Sequence, residues 1–459
     1  MAQFGLGSQS EVAELLTKAK GLHSRILFVL FAFIIYRLGT HIPLPGVDVT
    51  VLASYQQNLQ SGIFGLFNMF SGGAFSRMAV FALNIMPYIT ASIIIQLLTS
   101  TSSTLSELKK EGEVGRRKIN QYTRYLTVVL AFVQGFGLAS GVQHQTAMVN
   151  GEVMNLVTNP GLGFQLQTAL TITTGTMFLM WLGEQINARG IGNGISLLIF
   201  AGIVATMPAS VFRIFELART GSISELLVFA IAVGAIAAIF FITFMETATR
   251  RIAIQYPKRQ GMFGATAGDN NHLPLKLNLA GVIPPIFASA LLMVPVTLSS
   301  YAPESEWAQF IGAWLTPGKP LYLALFVSMI IFFAFFYVAT VAFNSDETAD
   351  NLKKSGAFIP GIRPGASTAS YLDGVATRLT AIGALYLAFI CAVPDILHRD
   401  TTLPFYIGGT SLLIIVSVTI DTVSRIQSAL IAQKYESLLK KSSLKSGKGG
   451  LIRTSVRKS

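Results

Sequence analysis

The stretch Gly62–Leu98 reads GIFGLFNMFSGGAFSRMAVFALNIMPYITASIIIQLL and places a short apolar segment ahead of a long one. The short segment begins at Ile63, and Ser71, Gly72 and Gly73 interrupt it well before the roughly 20 residues that cross a bilayer. A backbone segment that enters a membrane without spanning it is tolerated only inside protein or along a cavity. The stretch therefore predicts a membrane protein with an internal, non-spanning element.

The composition indicates many spanning helices. Of the 459 residues, 52% are hydrophobic and only 12% are charged, against roughly 25% charged in soluble domains. Apolar runs of about 20 residues recur, and no polar stretch between them is long enough to bury its own core. We predict an all-α membrane domain with ten spans, at residues 24–43, 78–99, 124–143, 165–185, 193–213, 225–245, 277–298, 321–343, 375–394 and 404–424.

Basic residues are distributed unevenly between alternate loops. Most of the 34 Lys and Arg residues precede span one or follow the even-numbered spans, whereas the alternate loops carry only Arg213, Arg219, Lys319 and Arg399. Because basic loops stay on the cytoplasmic side, both termini are predicted to be cytoplasmic. Residues 10–20 fit a helix on the membrane surface or a solvated amphipathic helix equally well. Two repeats of five spans would have to be inverted relative to each other.

The residues typical of enzymes and metal sites are missing from the sequence. The five histidines are scattered, Cys391 is the single cysteine, and no zinc-protease, P-loop or nucleophile-elbow motif occurs. The glycines of RGIGNG (189–194) follow a predicted helix and favour a tight turn over a nucleotide-binding loop. We therefore predict no enzymatic activity and no cofactor.

An ion-coupled secondary transporter of a small solute is the alternative function. Such carriers usually keep an ionisable residue inside the bilayer. The middles of the ten predicted spans contain none, since Arg37, Glu184 and Asp421 lie toward span ends and are expected to be interfacial anchors or packing partners. This absence weakens the transporter hypothesis.

Isoleucines recur beside helix-breaking residues. Ile85 and Ile89 flank Pro87 with i,i+4 spacing, which places both on one helix face. Ile191 and Ile195 repeat this spacing among the glycines of RGIGNG, and Ile286 follows a Pro-Pro pair. Spacing alone favours isoleucines that face lipid.

Several long motifs resemble the SecY family, the channel subunits of the bacterial Sec protein translocase. The first half contains FNMFSGGAFSR, IMPYITASIIIQLL, KKEGEVGRRKINQYTRY and GTMFLMWLGEQINARGIGNGIS. The second half contains HLPLKLNLAGVIPPIFAS, ETADNLKKSGAFIPGIRPG and PFYIGGTSLLI. The resemblance covers nearly the whole chain and implies two inverted five-helix halves around a central pore, at residues 1–213 and 214–434, followed by a basic tail at 435–459.

The resemblance assigns the short segment and the isoleucines to the pore. Residues 63–77 match the plug, a short half-helix that closes the external funnel, with the candidate residues Ile63, Phe64, Phe67, Met69, Phe70, Gly72 and Gly73. The family's pore-ring positions correspond to Ile85, Ile89, Ile191, Ile195, Ile286 and Ile414. A narrow ring of apolar side chains can exclude water and ions by dewetting.

The resemblance also implies a lateral gate, partners and a location. Spans two and seven would release signal sequences and membrane segments into lipid, with Thr90, Gln96 and Asn278 as polar residues at the gate. The loops 246–276 and 344–374 would bind the motor ATPase SecA or the ribosome, including its RNA, through Lys258, Arg259 and Arg363. The channel would associate with the small subunits SecE and SecG in the bacterial inner membrane and translocate unfolded preproteins.

The sequence departs from the family pattern in two places. Met262, Phe263 and Gly264 stand at the tip of the span six–seven loop, where some relatives carry arginine, which leaves ribosome contacts there open. Asn84 stands beside the pore ring where glycine is common, and it could hydrogen-bond the plug or another helix.

Overall fold

The computed structural model describes residues 20–59, 68–143, 145–149, 152–221, 224–255, 271–299, 305–315, 319–400 and 409–448. Its helices are α1 (Lys20–Gly39), α2 (Val49–Leu59), α3 (Met86–Thr101), α4 (Ser103–Lys110), α5 (Glu113–Val142), α6 (Leu162–Arg189), α7 (Gly194–Arg219), α8 (Glu225–Thr247), α9 (Ile283–Ser299), α10 (Glu306–Trp314), α11 (Pro320–Tyr337), α12 (Ser345–Lys354), α13 (Ala366–Asp400) and α14 (Gly409–Lys448). The strands are β1 (Thr146–Val149), β2 (Glu152–Asn155), β3 (Thr249–Ile254) and β4 (Asn271–Lys276). The predicted surface helix at 10–20 lies almost wholly outside the described residues.

A helix occupies each of the ten predicted spans. Seven helices of the described chain are both long and apolar enough to cross a membrane: α1, α5, α7, α8, α11 with its continuation, α13 and α14. The remaining three predicted spans correspond to α3, α6 and α9. The prediction of an all-α membrane protein with many spans is confirmed.

The predicted starts of spans two and seven were wrong. Helix α3 begins at Met86 rather than at residue 78, because Met78 and Asn84 have φ values of 44° and 48°, which a right-handed helix excludes. Helix α9 begins at Ile283 rather than at residue 277, after Gly281 with a φ of 63°. Apolar composition does not reveal these left-handed turns, which leave both helices short.

Several loops of the predicted topology contain regular structure. Strands β1 and β2 form an antiparallel hairpin between α5 and α6, and β3 and β4 form another between α8 and α9. Helices α2 and α10 lie in loops on the predicted external side, and α12 lies in the 344–374 loop. Helix α11 continues into a π-helical turn at Val338–Ala342.

The spanning helices pack as two groups. In the first, α5 contacts α3 and α6; in the second, α11 contacts α9 and α13. The groups meet along one seam where α3 and α5 contact α9, and along another where α14 contacts α1 and α7. One large cluster of buried apolar side chains extends through both groups. By contrast, α8 exposes large apolar residues that suit contact with lipid, including Leu226, Phe229 and Phe240.

Candidate functional site

Most of the predicted ring isoleucines lie in the central apolar cluster. Ile85 and Ile414 are each 1% exposed, and Ile89 and Ile286 are also buried. These four belong to the large cluster, and Ile195 packs against it while remaining half-buried. Ile191 is buried outside this cluster. The structure therefore brings five of the six isoleucines to one cluster, and the ring itself stays a prediction.

The turn before α3 positions the first pair of isoleucines. Ile85 precedes the helix, Pro87 occupies its first turn, and the Ile89 N–H donates to the Ile85 carbonyl at 3.1 Å. Proline suits a helix start because the first N–H groups have no intrahelical acceptor. The i,i+4 spacing that the sequence predicts is thus realised across the helix start.

The junction of α6 and α7 positions the second pair. The Asn193 side chain accepts from the Ile195 N–H at 3.2 Å, and the Asn187 side chain accepts from the Gly194 N–H at 2.7 Å. A Cβ atom at Gly194 would lie 2.0 Å from the Gly183 carbonyl oxygen, so only glycine fits. This close approach confirms that the RGIGNG stretch forms a tight turn between helices.

The described part of the segment that is predicted to be the plug, called the plug segment below, is buried but helical only at its beginning. Ile63, Phe64 and Phe67 lie outside the described residues. Met69 and Phe70 are buried in the central cluster. Helical geometry ends at Phe70, and turns follow, because Gly72 and Gly73 have φ values of 66° and 83°. The expectation of a half-helix extending to Arg77 was therefore wrong for its second part.

Three side chains from outside this segment bind its backbone carbonyls. The Tyr36 hydroxyl donates to the Ser71 carbonyl at 3.1 Å, and Arg37 Nη1 donates to the Gly72 carbonyl at 3.0 Å. The Asn84 amide donates to the Phe70 carbonyl. The sequence did not indicate a role for Tyr36, and it left the hydrogen-bond partner of Asn84 undecided between the plug and another helix. The structure shows that Asn84 binds the plug segment.

Positive charge surrounds the same turn. Arg77 lies against Gly73, with Arg77 Nη2 3.3 Å from the position of a Gly73 Cβ. Burial, and then the charge of Arg37, lower the pKa of Arg77 from its usual value. Among the described residues neither arginine forms a salt bridge.

The predicted gate residues form local hydrogen bonds. The Thr90 hydroxyl donates to the Met86 carbonyl at 3.1 Å, and Gln96 Nε2 donates to the Ser92 hydroxyl at 3.0 Å. Both bonds lie within α3, although α3 itself contacts α9. The described structure shows no hydrogen bond from Thr90 or Gln96 to α9, and their role in a gate stays a prediction.

Asn278 precedes α9 rather than lying on it. Its amide donates to Glu246 Oε1 at 2.7 Å and to the Gly281 carbonyl at 3.1 Å. Glu246 is 6% exposed and lies in the last turn of α8. Asn278 therefore joins the end of α8 to the turn before α9, and sequence reasoning missed its carboxylate partner.

One hydrogen bond connects residues of the two halves of the chain on the side that the charge distribution predicts to be cytoplasmic. Lys109 Nζ, at the end of α4, donates to the Thr340 carbonyl in the π-helical turn at 2.9 Å. Elsewhere, Arg124 on α5 binds Glu184 on α6 at 2.7 Å, as expected for a packing partner. Asp421 binds Arg425 within α14.

The two large basic loops pack together. Gln255 and Phe358 exchange backbone hydrogen bonds of 2.9 and 3.0 Å, and a small apolar cluster joins β3 and β4 to the 344–374 loop and α13. Arg363 is exposed between Gly361 and Gly365, whose φ values are 82° and 110°. Lys258 and Arg259 lie outside the described residues.

Comparison with known proteins gives the family. The SecY family model matches residues 79–423. This chain belongs to the SecY family. It is 52% identical over 427 residues to the protein translocase subunit SecY of Escherichia coli (strain K12), with 92% of this chain and 95% of that protein covered. The corresponding Pseudomonas aeruginosa subunit is 50% identical over 435 residues, with 94% and 96% covered.

Solved channel structures share the fold. A structure of a protein-conducting channel matches with a TM-score of 0.63 at 16% identity, covering 89% of this chain and 92% of that one. A SecY structure from work on its plug domain matches with a TM-score of 0.63 at 18% identity and the same coverage. These matches confirm the predicted ten-helix channel architecture, and family membership does not favour the transporter alternative.

Proposed function

We propose that this chain is the pore-forming subunit of a protein translocase, which conducts unfolded preproteins across the membrane. The main observation is the central apolar cluster, in which isoleucines from three spanning helices, α3, α9 and α14, lie with the buried plug segment. A constriction of branched apolar side chains excludes water and ions when it is narrow. It also forms no hydrogen bonds to a passing chain, which suits a substrate of arbitrary sequence.

The seam between α3 and α9 is the proposed lateral exit for signal sequences and membrane segments. The two helices contact each other, and among the described residues the hydrogen bonds given by Thr90 and Gln96 stay within α3. Polar contacts between membrane helices contribute roughly 0.6 kcal/mol on average. A seam held mainly by apolar packing can therefore separate when an apolar signal helix replaces the lost contacts.

The joined basic loops are the proposed docking surface for a cytoplasmic partner. Arg363 is exposed in a turn that Gly361 and Gly365 permit by left-handed conformations and in which Pro364 restricts the backbone. Its planar guanidinium suits carboxylate or phosphate groups. SecA and the ribosome are the proposed partners, with ribosomal RNA phosphates as one kind of contact. Fold relatives include canine Sec61 in a ribosome–channel complex, with a TM-score of 0.58.

The remaining proposals follow the family resemblance. The proposed division of the chain is an N-terminal half at residues 1–213, a C-terminal half at 214–434 and a basic cytoplasmic tail at 435–459. SecE and SecG are the proposed small subunits, and the bacterial inner membrane, with cytoplasmic termini, is the proposed location.

Import into vesicles tests the function. The chain would be purified with SecE and SecG, reconstituted into lipid vesicles, and supplied with SecA, ATP and an unfolded secretory precursor. We expect precursor to become protected from added protease only when SecA and ATP are both present. Coupled uptake of a small solute with no protected precursor would contradict the proposal and support the transporter alternative.

A further inference from the structure

The plug end, which we define as residues 68–73, has three consecutive carbonyls that accept hydrogen bonds from side chains outside it, and the Ser71 carbonyl also accepts from the Ala74 N–H at 3.3 Å. The last carbonyls of any helical segment have no intrahelical partner. Here helical geometry ends at Phe70, and the left-handed glycines turn the chain away from further helix. Both Phe70 and Ser71 are buried, so water does not readily replace a missing donor.

Three side chains, which we call the carbonyl clamp, supply these donors: Tyr36, Arg37 and Asn84. Tyr36 and Arg37 come from the end of α1, and Asn84 comes from the turn before α3. Each clamp residue binds a different carbonyl, those of Ser71, Gly72 and Phe70 respectively. The end of α1 and the turn before α3 therefore both bind the plug end.

The clamp is itself connected and held in place. The Asn84 amide also donates a hydrogen bond to the Tyr36 hydroxyl at 3.4 Å. Tyr36 is 1% exposed, and its ring stacks on Phe81 with centroids 6.3 Å apart. Since two clamp side chains share a hydrogen bond, loss of one weakens the position of the other.

We infer that the carbonyl clamp is a lock that holds the plug end in its closed position and sets how readily it is released. This inference rests on the proposed channel function, because only a channel that opens requires release. Bonds that exist only in the closed state shift the equilibrium toward that state by their net strength. One ordinary buried hydrogen bond corresponds to about a fivefold shift.

The variants are chosen to remove donors without adding bulk. Tyr36→Phe deletes only the hydroxyl. Asn84→Gly deletes the amide at a position with a φ of 48°, which glycine adopts without strain. Tyr386→Phe is the matched control, since Tyr386 is also a buried tyrosine, but its hydroxyl has no hydrogen-bond partner among the residues that the structure describes.

The assay measures release of the plug end directly. Met69, which is 7% exposed, would be replaced by cysteine in a Cys391→Ala background, and the full complex would be reconstituted in vesicles. The labelling rate with a water-soluble maleimide reports how often residue 69 becomes accessible. We expect about a five- to thirtyfold increase for Tyr36→Phe, which loses the bond to the Ser71 carbonyl and the bond that the hydroxyl accepts from Asn84. We expect about a five- to thirtyfold increase for Asn84→Gly, which loses two bonds.

The pattern across variants decides the inference. The double variant should increase labelling by less than the product of the single effects, because the two side chains are bonded to each other. Equal labelling rates for Tyr36→Phe and the Tyr386→Phe control would overturn the lock. If Asn84→Gly does not assemble, Arg37→Met repeats the test at a half-buried side chain, because methionine has no hydrogen-bond donor.

Precursor import on the same vesicles separates this inference from the proposed function. If the clamp variants import precursor normally and residue 69 is labelled at the same rate as without the clamp changes, the channel function is supported and the lock is contradicted. Absence of import by the unmodified complex would contradict the channel function, whereas the labelling rates would still report whether the clamp holds residue 69.

Discussion

Replacement of Gly72 by alanine tests whether the plug end is pressed against α7. Gly72 has a φ of 66°, and a Cβ atom there would lie 2.9 Å from the Gly202 Cα and 3.0 Å from the Tyr36 hydroxyl. Real Cβ atoms do not approach backbone this closely, so either the plug end or α7 must shift. We expect the plug end to move, because α7 packs against α6 and α14 and buries Gly202 together with Ile199 and Ile203.

A matched glycine separates backbone strain from crowding. Gly112, between α4 and α5, has a similar φ of 76°, but nothing lies within 4 Å of its potential Cβ. A left-handed conformation costs an L-residue roughly 1–2 kcal/mol, and this cost applies to alanine at both positions. Crowding adds roughly 1–3 kcal/mol at Gly72 alone. Because displacement of the plug end relieves the crowding, Gly72→Ala should favour the open state about 5- to 150-fold relative to Gly112→Ala.

Single-channel recording in planar bilayers measures this difference. The complex of each variant with its small subunits would be recorded without a motor or precursor, and the resting open probability compared. Tryptophan fluorescence during heating would show that both variants remain folded. Equal open probabilities for Gly72→Ala and Gly112→Ala, in two folded complexes, would refute the close contact between the plug end and α7.

Three further predictions concern the constriction, the docking surface and the gate. Ile414→Asn places an amide in the apolar constriction, so resting ion conductance and export of precursors with defective signals should both rise; unchanged values would mean that Ile414 does not contribute to the seal. Arg363→Glu should abolish ATP-driven import while expression and assembly stay normal, and Arg363→Lys should give intermediate import. The control is the charge reversal Arg219→Glu, on the predicted external side of the membrane, which should leave SecA-driven import unchanged. Lys109→Met removes the hydrogen bond to the π-helical turn, so lateral insertion of weakly apolar signal sequences should increase severalfold. Lys110→Met is the control. Equal effects of the two changes would mean that loss of positive charge, and not loss of this bond, is the cause.

The membrane-protein class and the positions of the spans follow from the sequence because hydrophobicity is a local property. An apolar run of about 20 residues forms a helix in the bilayer, since only helices and closed β-barrels satisfy the backbone there and barrel strands are much shorter. For the same reason the i,i+4 spacing of Ile85 and Ile89 around Pro87 correctly predicts a helical turn, which is the first turn of α3. Family motifs added the pore and plug assignments, which spacing alone did not favour.

The late start of α3, the end of the plug helix and the carbonyl clamp were decided by tertiary structure. The clamp links Tyr36 to Ser71 and Asn84 to Phe70, across 35 and 14 positions of the chain. Asn84 adopts a left-handed conformation that its own residue type only weakly favours, and the bonds to Tyr36 and Phe70 stabilise it there. Apolar patterns record which residues leave water, but a buried carbonyl accepts from whichever donor the fold brings to it, so these partners became visible only in three dimensions.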